Sequence, residues 1–154
     1  MSATDPTTDP TTARRDRLSV LAKAPAERLR ALWSDHMAEP PDHDVIRPPE
    51  IGTIMVRGRA GATGAPFNLG EMTVTRCSVR LASGAIGHGH VQGRDREAAR
   101  IAALIDALSE DGQAEKLDHA IIAPLRDDAQ ARKTARATRA AATKVEFFTM
   151  VRGD

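Results

Sequence analysis

The sequence predicts an α+β domain in which helices pack on a mostly antiparallel sheet. Apolar residues recur at helical spacing before residue 40 and after residue 95. Between residues 42 and 92, β-branched residues are concentrated in short runs that are separated by turn-forming residues. Short connections between strands favour antiparallel pairing. The predicted order is an N-terminal helical segment, a central sheet, further helices and a C-terminal strand.

The first twelve residues differ in composition from the rest of the chain. Residues 1–12 are polar and contain Pro6 and Pro10, so we expect a disordered tail. The rest of the chain, residues 13–154, is of a length that one hydrophobic core accommodates, so we expect a single domain there.

Two helices are predicted in the N-terminal part. The first covers residues 13–23. The second begins at Pro25, because the missing N–H of proline is harmless in a first helical turn. Apolar side chains of this second helix fall near one face, namely Leu29, Leu32, Trp33 and Met37.

The centre of the chain predicts four strands. They cover about residues 42–47, 51–59, 72–82 and 85–92, and prolines bracket the first of them. The turn-rich segment GRAGATGAPFNLG separates the second strand from the third. Ser83-Gly84 fits a two-residue hairpin turn between the third and the fourth.

The clearest predicted helix follows Asp95, a suitable N-cap residue. Its apolar side chains have i, i+3, i+4, i+7 spacing, at Ile101, Leu104, Ile105 and Leu108. A shorter helix is predicted from Glu115 to Ala123, ended by Pro124, and an Ala-rich basic helix over residues 127–143. The final stretch, KVEFFTMVR, predicts a strand.

Composition argues against several classes of protein. The formal net charge is +1, so the molecule as a whole lacks a strong field for nucleic acid or an acidic membrane. The chain has one Trp, three Phe and no Tyr, so few aromatic side chains are available to stack on bases. The same scarcity means that the core must be mainly aliphatic. Cys77 is the only cysteine, so no intramolecular disulfide can form. Without a signal-like or membrane-spanning segment, we expect a cytoplasmic protein.

A two-residue turn at Ser83-Gly84 would fix the register of the last hairpin. Cys77 would then lie opposite His90, and His88 would share their face. One thiol and two imidazoles could hold a zinc ion with an open fourth position. The alternative is that this face is simply buried, and no further ligand is evident beside it. We predict no metal site.

The segment VQGRD runs from a strand through glycine into a helix N-terminus. Its free amides, with Gln92, Arg94 and Arg96, could bind a phosphate or phosphonate oxyanion. The alternative is that Asp95 caps the helix and repels anions. The glycines of the central loop are a weaker phosphate signal, because no Gly-Lys-Ser/Thr sequence follows them. Turn geometry explains them more simply.

The basic helix and the terminal strand each have two interpretations. Arg132, Arg136 and Arg139 share one helix face and could contact nucleic acid or an acidic partner, or they could form a solvated face. The terminal strand is apolar on both sides, so it is either central in the sheet or covered by another subunit. We predict a partner interface at Phe147, Phe148, Met150 and Arg152. No catalytic constellation is evident, so no catalytic residue is predicted.

Longer strings in the sequence resemble the PhnG family. They are MVRGRAGATGAPFNLGEMTVTRCSVRL, GHGHVQGRD, IIAPL and VEFFTMVRGD, in this order along residues 44–153. In that family, alanine and aromatic residues can occupy the positions of Cys77, His88 and His90. Such replacements preserve packing and would destroy a metal site, so the resemblance weakens the zinc hypothesis.

The resemblance implies a subunit of the bacterial carbon–phosphorus lyase core complex. The implied partners are PhnH, PhnI and PhnJ, with the ATP-binding-cassette proteins PhnK and PhnL. The implied reaction transfers methylphosphonate to C1′ of ATP and displaces adenine. No cofactor is expected on this chain, since an iron–sulfur cluster and S-adenosylmethionine are implied on PhnJ. A small metal-dependent enzyme and a basic-helix nucleic-acid-binding protein are the alternatives.

Overall fold

The computed structural model describes residues 9–145 and confirms the α+β class. The helices are α1 (Pro10–Lys23), α2 (Ala26–His36), α3 (Arg96–Leu108), α4 (Ala114–Leu117) and α5 (Ala123–Ala142). The strands are β1 (His43–Arg59), β2 (Pro66–Leu81) and β3 (Ile86–Gln92), which form an antiparallel sheet in the order β1-β2-β3. The predicted C-terminal strand lies outside the described residues except for its first two positions.

Helix α1 begins at Pro10, so the prediction of a disordered tail was wrong for residues 10–12. Asp9 is the N-cap, and its carboxylate accepts a hydrogen bond of 3.1 Å from the Thr11 amide. Pro10 then occupies the first helical position, which suits its fixed φ. The Asp-Pro pair is therefore a helix start signal within an otherwise polar segment.

A single strand, β1, replaces the two strands predicted over residues 42–47 and 51–59. It runs through Pro48-Pro49, and its pairing with β2 is irregular on either side of Arg47. Because β1 is an outer strand, prolines that cannot donate hydrogen bonds are tolerated in it. The pairing beyond Glu50 is regular as far as Val56.

The connection between β2 and β3 is one residue longer than predicted. The Gly84 amide donates to the Leu81 carbonyl at 2.9 Å, and the Leu81 amide donates to the Ala85 carbonyl at 2.9 Å. These bonds enclose a loop of Ala82, Ser83 and Gly84, and Gly84 has a φ of +96° as such loops require. Each residue of β3 is therefore displaced by one position from the predicted register.

Helix α3 packs directly on the backbone of β3. A Cβ atom on Gly87 would lie 2.0 Å from the Ala103 carbonyl oxygen, and one on Gly89 would lie 2.1 Å from the Ala99 carbonyl oxygen. Only glycine allows this approach. The predicted helix is confirmed, and ten of its thirteen residues are buried.

The core lies between α3, the helix-facing side of the sheet and the remaining helices. It is aliphatic as predicted, with Trp33 as the buried aromatic residue of the described chain. From the sheet, Cys77, Val79 and Leu81 of β2 enter it, together with Val91 of β3. From the other helices come Leu21, Leu29, Leu117, Ile121, Ile122 and Leu125.

The segment after α3 differs from its prediction, because Pro124 begins a helix and does not end one. A turn at Ser109–Gln113, with Gly112 at a φ of +93°, leads into α4. A π-helical turn, Asp118–Ile122, then joins α4 to α5, and Pro124 lies in the first turn of α5. At that position a backbone N–H has no partner within the helix, so proline costs no helical hydrogen bond.

Asp106 of α3 is a fully buried carboxylate that joins three elements. Arg14 of α1 donates two hydrogen bonds to it, from Nε at 3.1 Å and from Nη2 at 2.8 Å. The backbone amide of His88 donates a third, at 2.9 Å. The hydrogen bonds from Arg14 to Asp106 raise the pKa of Arg14 above its usual value. The carboxylate thus holds α1, α3 and β3 together.

Among the described helices, none combines the length and the apolar character that crossing a bilayer requires.

Candidate functional site

The sheet has one face covered by helices and one open face. In β3, Gly87, Gly89 and Val91 are buried, while the alternating residues from Ile86 to Gln92 are exposed. An antiparallel sheet with one solvated face shows this alternation. The open face therefore presents the side chains that the core does not use.

The predicted face shared by Cys77, His88 and His90 does not exist. Cys77 pairs with Gly89 and faces the core, whereas His88 and His90 lie on the open face. A shift of one residue moves a whole strand's side chains to the opposite face, and the three-residue loop introduces that shift. Within residues 9–145, no three His, Cys, Asp or Glu side chains are grouped so that they could hold a metal ion.

Cys77 is packed among apolar residues. Burial raises the pKa of its thiol above the usual value, and the positive charge of Arg100 offsets only part of this effect. A thiol in such surroundings stays protonated and unreactive. The side chain therefore behaves as a small hydrophobic residue of the core.

Two rows of polar side chains cross the open face. In the first row, Arg47 of β1 pairs with Ser78 of β2, which pairs with His88 of β3. In the second row, Glu50 pairs with Arg76, and Arg76 pairs with His90. Cross-strand partners on one face have Cβ atoms about 5 Å apart. We call these six residues the polar grid.

Contacts within the polar grid link neighbouring strands. Ser78 Oγ and His88 Nδ1 share a hydrogen bond of 2.8 Å. Arg76 Nε lies 3.5 Å from a carboxylate oxygen of Glu50, and both side chains are 48% exposed. Desolvation lowers the pKa of His90, and the charges of Arg76, His88 and Arg47 lower it further. With two arginines and one glutamate among its six residues, the grid carries a net positive charge.

A shallow groove of about 570 Å³ lies over the polar grid. Its lining includes the polar residues Arg47, Arg76, Ser78, His88 and His90 and the apolar residues Ile46 and Ile86. The sequence prediction included His88 and His90 with the wrong neighbours, and it missed Arg47, Arg76 and Ser78. The alternation of polar residues in RCSVR was a signal for the open face, but only the register could join it to β1 and β3.

Beyond the core, β1 and β2 continue as a two-stranded ribbon. We call residues 53–59 of β1 and 66–73 of β2 the hairpin arm, because β3 does not pair with this part of β2. Its β1 part alone is about 24 Å long at the usual rise per residue. Exposed apolar residues of the arm are Ile54 (48% exposed), Met55 (53%), Phe67 (46%) and Leu69 (65%).

Most apolar residues of the hairpin arm share the open face. Ile54 pairs with Met72, and Gly58 pairs with Phe67. Leu69 has no partner in β1 because of a bulge, and its side chain lies 3.7 Å from where a Cβ of Gly58 would be. The opposite face carries Arg57, Asn68 and Glu71 with Met55. The apolar face of the arm thus continues the face that carries the polar grid.

At the VQGRD corner, Asp95 has the role of helix cap that the sequence indicated. Its carboxylate accepts a hydrogen bond of 2.8 Å from the Ala98 amide and forms an ion pair with Arg30. The Ala98 bond, with help from Arg30, lowers the pKa of Asp95. Gln92, Arg94 and Arg96 are exposed around this corner. Their role in oxyanion binding stays a prediction, and the cap occupies the amide that an anion would use.

The basic helix is confirmed as the greater part of α5, and it extends away from the core. Leu125 is its buried residue, and the residues that follow Ala129 are exposed. Arg132, Arg136 and Arg139 therefore lie on a solvated surface of this helix, with Lys133 on it as well. The predicted interface residues Phe147, Phe148, Met150 and Arg152 lie outside the described residues.

Comparison with known proteins identifies the family. The family model described as phosphonate metabolism protein PhnG matches residues 12–153. The chain belongs to the PhnG family. A relative from Rhizobium meliloti (strain 1021) is 44% identical over 145 residues, which cover 92% of this chain and 90% of the relative. That PhnG protein is named alpha-D-ribose 1-methylphosphonate 5-triphosphate synthase subunit PhnG.

Membership of the PhnG family confirms the resemblance that the sequence strings predicted. The matched region contains the polar grid, the hairpin arm and the VQGRD corner, and it extends through the C-terminal residues.

Proposed function

We propose that this chain is the PhnG-type subunit of a hetero-oligomeric synthase that forms α-D-ribose 1-methylphosphonate 5-triphosphate. In the proposed reaction, methylphosphonate is transferred to C1′ of ATP and adenine leaves. Support comes from membership of the family and from the Rhizobium meliloti relative, which carries this activity in its name as a subunit. The similarity covers nearly the full length of both chains.

The hairpin arm is the structural feature that supports a function within a multi-subunit assembly. A two-stranded ribbon is marginally stable in water, and adjacent exposed apolar side chains usually mark an interaction surface. Phe67 and Leu69 lie together over Gly58, and Ile54 and Met72 extend the same face. Covering this face with a partner would remove apolar area from water and hold the ribbon in place.

The proposed partners are PhnH, PhnI and PhnJ, with PhnK and PhnL associating as ATP-binding-cassette proteins. ATP is a substrate of the assembly, and the iron–sulfur cluster and S-adenosylmethionine belong to PhnJ in this proposal. The assembly is proposed to be cytoplasmic and to involve neither nucleic acid nor a membrane.

Coexpression of the affinity-tagged chain with PhnH, PhnI and PhnJ from the same operon tests the proposal. We expect the untagged subunits to copurify in fixed ratio, and the purified assembly, with PhnL, to convert ATP and methylphosphonate into the ribose triphosphate product with release of adenine. Omission of this chain should reduce adenine release. If the tagged chain is recovered alone while PhnI and PhnJ are present and soluble, the proposal is wrong.

A further inference from the structure

The polar grid concentrates groups that bind anions on a surface that no described element covers. Arg47 and Arg76 are each a permanent cation with several N–H donors. Ser78 adds a hydroxyl, and His88 and His90 add imidazole nitrogens that can donate hydrogen bonds. All five come from three adjacent strands and line one groove.

The charges of the grid favour an anion over a metal cation. The grid contains two arginines and one acidic residue, Glu50. A carboxylate oxygen of Glu50 lies 3.5 Å from Arg76 Nε, and the Arg76 side chain is still 48% exposed. The neighbouring pair, Arg80 with Asp44, balances its own charge. A divalent cation between His88 and His90 would be repelled by Arg47 and Arg76, whose charges already lower the pKa of His90.

The geometry suits an oxyanion with several oxygens at one centre. Arginine guanidinium groups bind phosphate and carboxylate oxygens through paired hydrogen bonds. A tetrahedral group placed over the middle of the grid would face donors from three sides: Arg47 on β1, Arg76 and Ser78 on β2, and the histidines on β3. Because strands hold their side chains more firmly than loops do, these donors are well placed before binding.

We propose that the polar grid binds a phosphorus oxyanion, either a phosphonate or a phosphate group of a nucleotide. Ile46 and Ile86 supply apolar surface at the same groove, whose volume of about 570 Å³ exceeds what one tetrahedral group needs. The choice of phosphorus over other oxyanions rests on the proposed function. The location of the site rests on the grid alone.

Titration of the full-length chain with ligand distinguishes the two sources. Methylphosphonate and ATP are added separately at low salt, and the imidazole C–H signals of the histidines are followed by NMR. We expect saturable shifts at His88 and His90, with smaller or no shifts at His36 and His119. Binding should raise the pKa of His90, since an anion favours the charged imidazole. Tighter binding of methylphosphonate assigns the phosphonate, and tighter binding of ATP assigns the nucleotide.

Two variants and one control test the residues. Arg76→Gln and Arg47→Gln should each weaken binding tenfold or more, because each removes a charge-assisted contact. Arg15→Gln, on the exposed side of α1, removes the same charge elsewhere and should leave affinity within twofold. If a grid variant is poorly folded, the wild-type histidine shifts still decide. Absence of saturable shifts with both ligands, or equal affinity in Arg76→Gln and Arg15→Gln, overturns the inference.

The same ligands are then tested on this chain assembled with PhnH, PhnI and PhnJ, in the presence of PhnL. Assembly with Arg76→Gln, together with a raised KM for the ligand that bound the isolated chain, supports the site. Assembly with an unchanged KM contradicts the site and leaves the proposed function intact. Failure of the wild-type chain to assemble contradicts the proposed function, while binding by the isolated chain would still support the site.

Discussion

The same two strands behave differently at their two ends. At the covered end, β2 side chains Cys77 and Val79 are almost completely buried beneath α3. In the hairpin arm, Phe67 and Leu69 of the same strand are 46% and 65% exposed. Backbone pairing between β1 and β2 continues through both regions. Pairing alone therefore does not create a core, and the arm lacks the helix that the covered end has.

The largest effect should come from adding a side-chain atom at the contact between β3 and α3. Gly87→Ala places a Cβ 2.0 Å from the Ala103 carbonyl oxygen and 2.3 Å from the Ala107 nitrogen, so the helix must move away. We expect a loss of about 3 kcal/mol or more in the free energy of unfolding, measured by urea denaturation. Gly52→Ala on the outer strand β1, next to the hairpin arm, is the control, because nothing lies within 4 Å of its Cβ. Equal losses would contradict the difference between the regions.

The next effect concerns buried and exposed ion pairs. Asp106→Ala leaves the His88 amide without its acceptor and leaves Arg14 with only the longer contact of 3.4 Å to Glu110. We expect a loss of about 2–3 kcal/mol in the free energy of unfolding. Asp44→Ala removes a partner of Arg80 where both side chains are more than half exposed, so the loss should stay below about 1 kcal/mol. Thermal and urea unfolding of both variants provide the comparison. A larger loss in Asp44→Ala would refute the role of Asp106.

The hairpin arm should show its importance in association rather than in folding. Phe67→Asp should leave the free energy of unfolding of the isolated chain within about 0.5 kcal/mol. It should weaken association with the partner subunits by about 2 kcal/mol, roughly 30-fold in Kd, if Phe67 anchors the interface. Met55→Asp, on the opposite face with similar exposure, is the matched control. Weaker association in the control alone would place the interface on the other face.

The smallest effect is the pH dependence that Cys77 introduces. Its pKa is raised in the folded chain, so the unfolded chain loses the thiol proton first as pH increases. The contribution of this group to the free energy of unfolding is fully present below the unfolded pKa, about 8.5, and it is lost as pH rises through the folded pKa. Cys77→Ala should remove that alkaline decrease, which urea unfolding at pH 7 and pH 9.5 would detect. An identical decrease in the variant would assign it to other groups.

Local patterns predicted the elements well but not their pairing. The spacing of Ile101, Leu104 and Leu108 was enough to define α3, and Asp95 was enough to place its start. The turn at Ser83-Gly84 was compatible with a two-residue or a three-residue loop, and these differ by one register step. Packing decides between them, since only Gly87 and Gly89 can face the alanines of α3. The error in the histidine site therefore came from a tertiary contact.

Proline was the other source of error. Pro48-Pro49 suggested a break between strands, and Pro124 suggested the end of a helix. In the structure, Pro48-Pro49 lie on an outer strand, and Pro124 lies in a first helical turn. At both positions the missing N–H of proline costs no hydrogen bond. Where a proline is tolerated depends on neighbours that a single sequence does not display. The polar grid was missed for the same reason, because each of its rows joins residues from three different strands.

The prolines of β1 also limit how another chain could extend this sheet. On the far side of β3, Asp106 already holds the His88 amide, and α1 lies against the strand. On the free side of β1, Pro48 and Pro49 cannot donate to an incoming backbone. Among the described strands, residues 50–59 are thus the uninterrupted stretch where a foreign peptide could be recruited by strand addition.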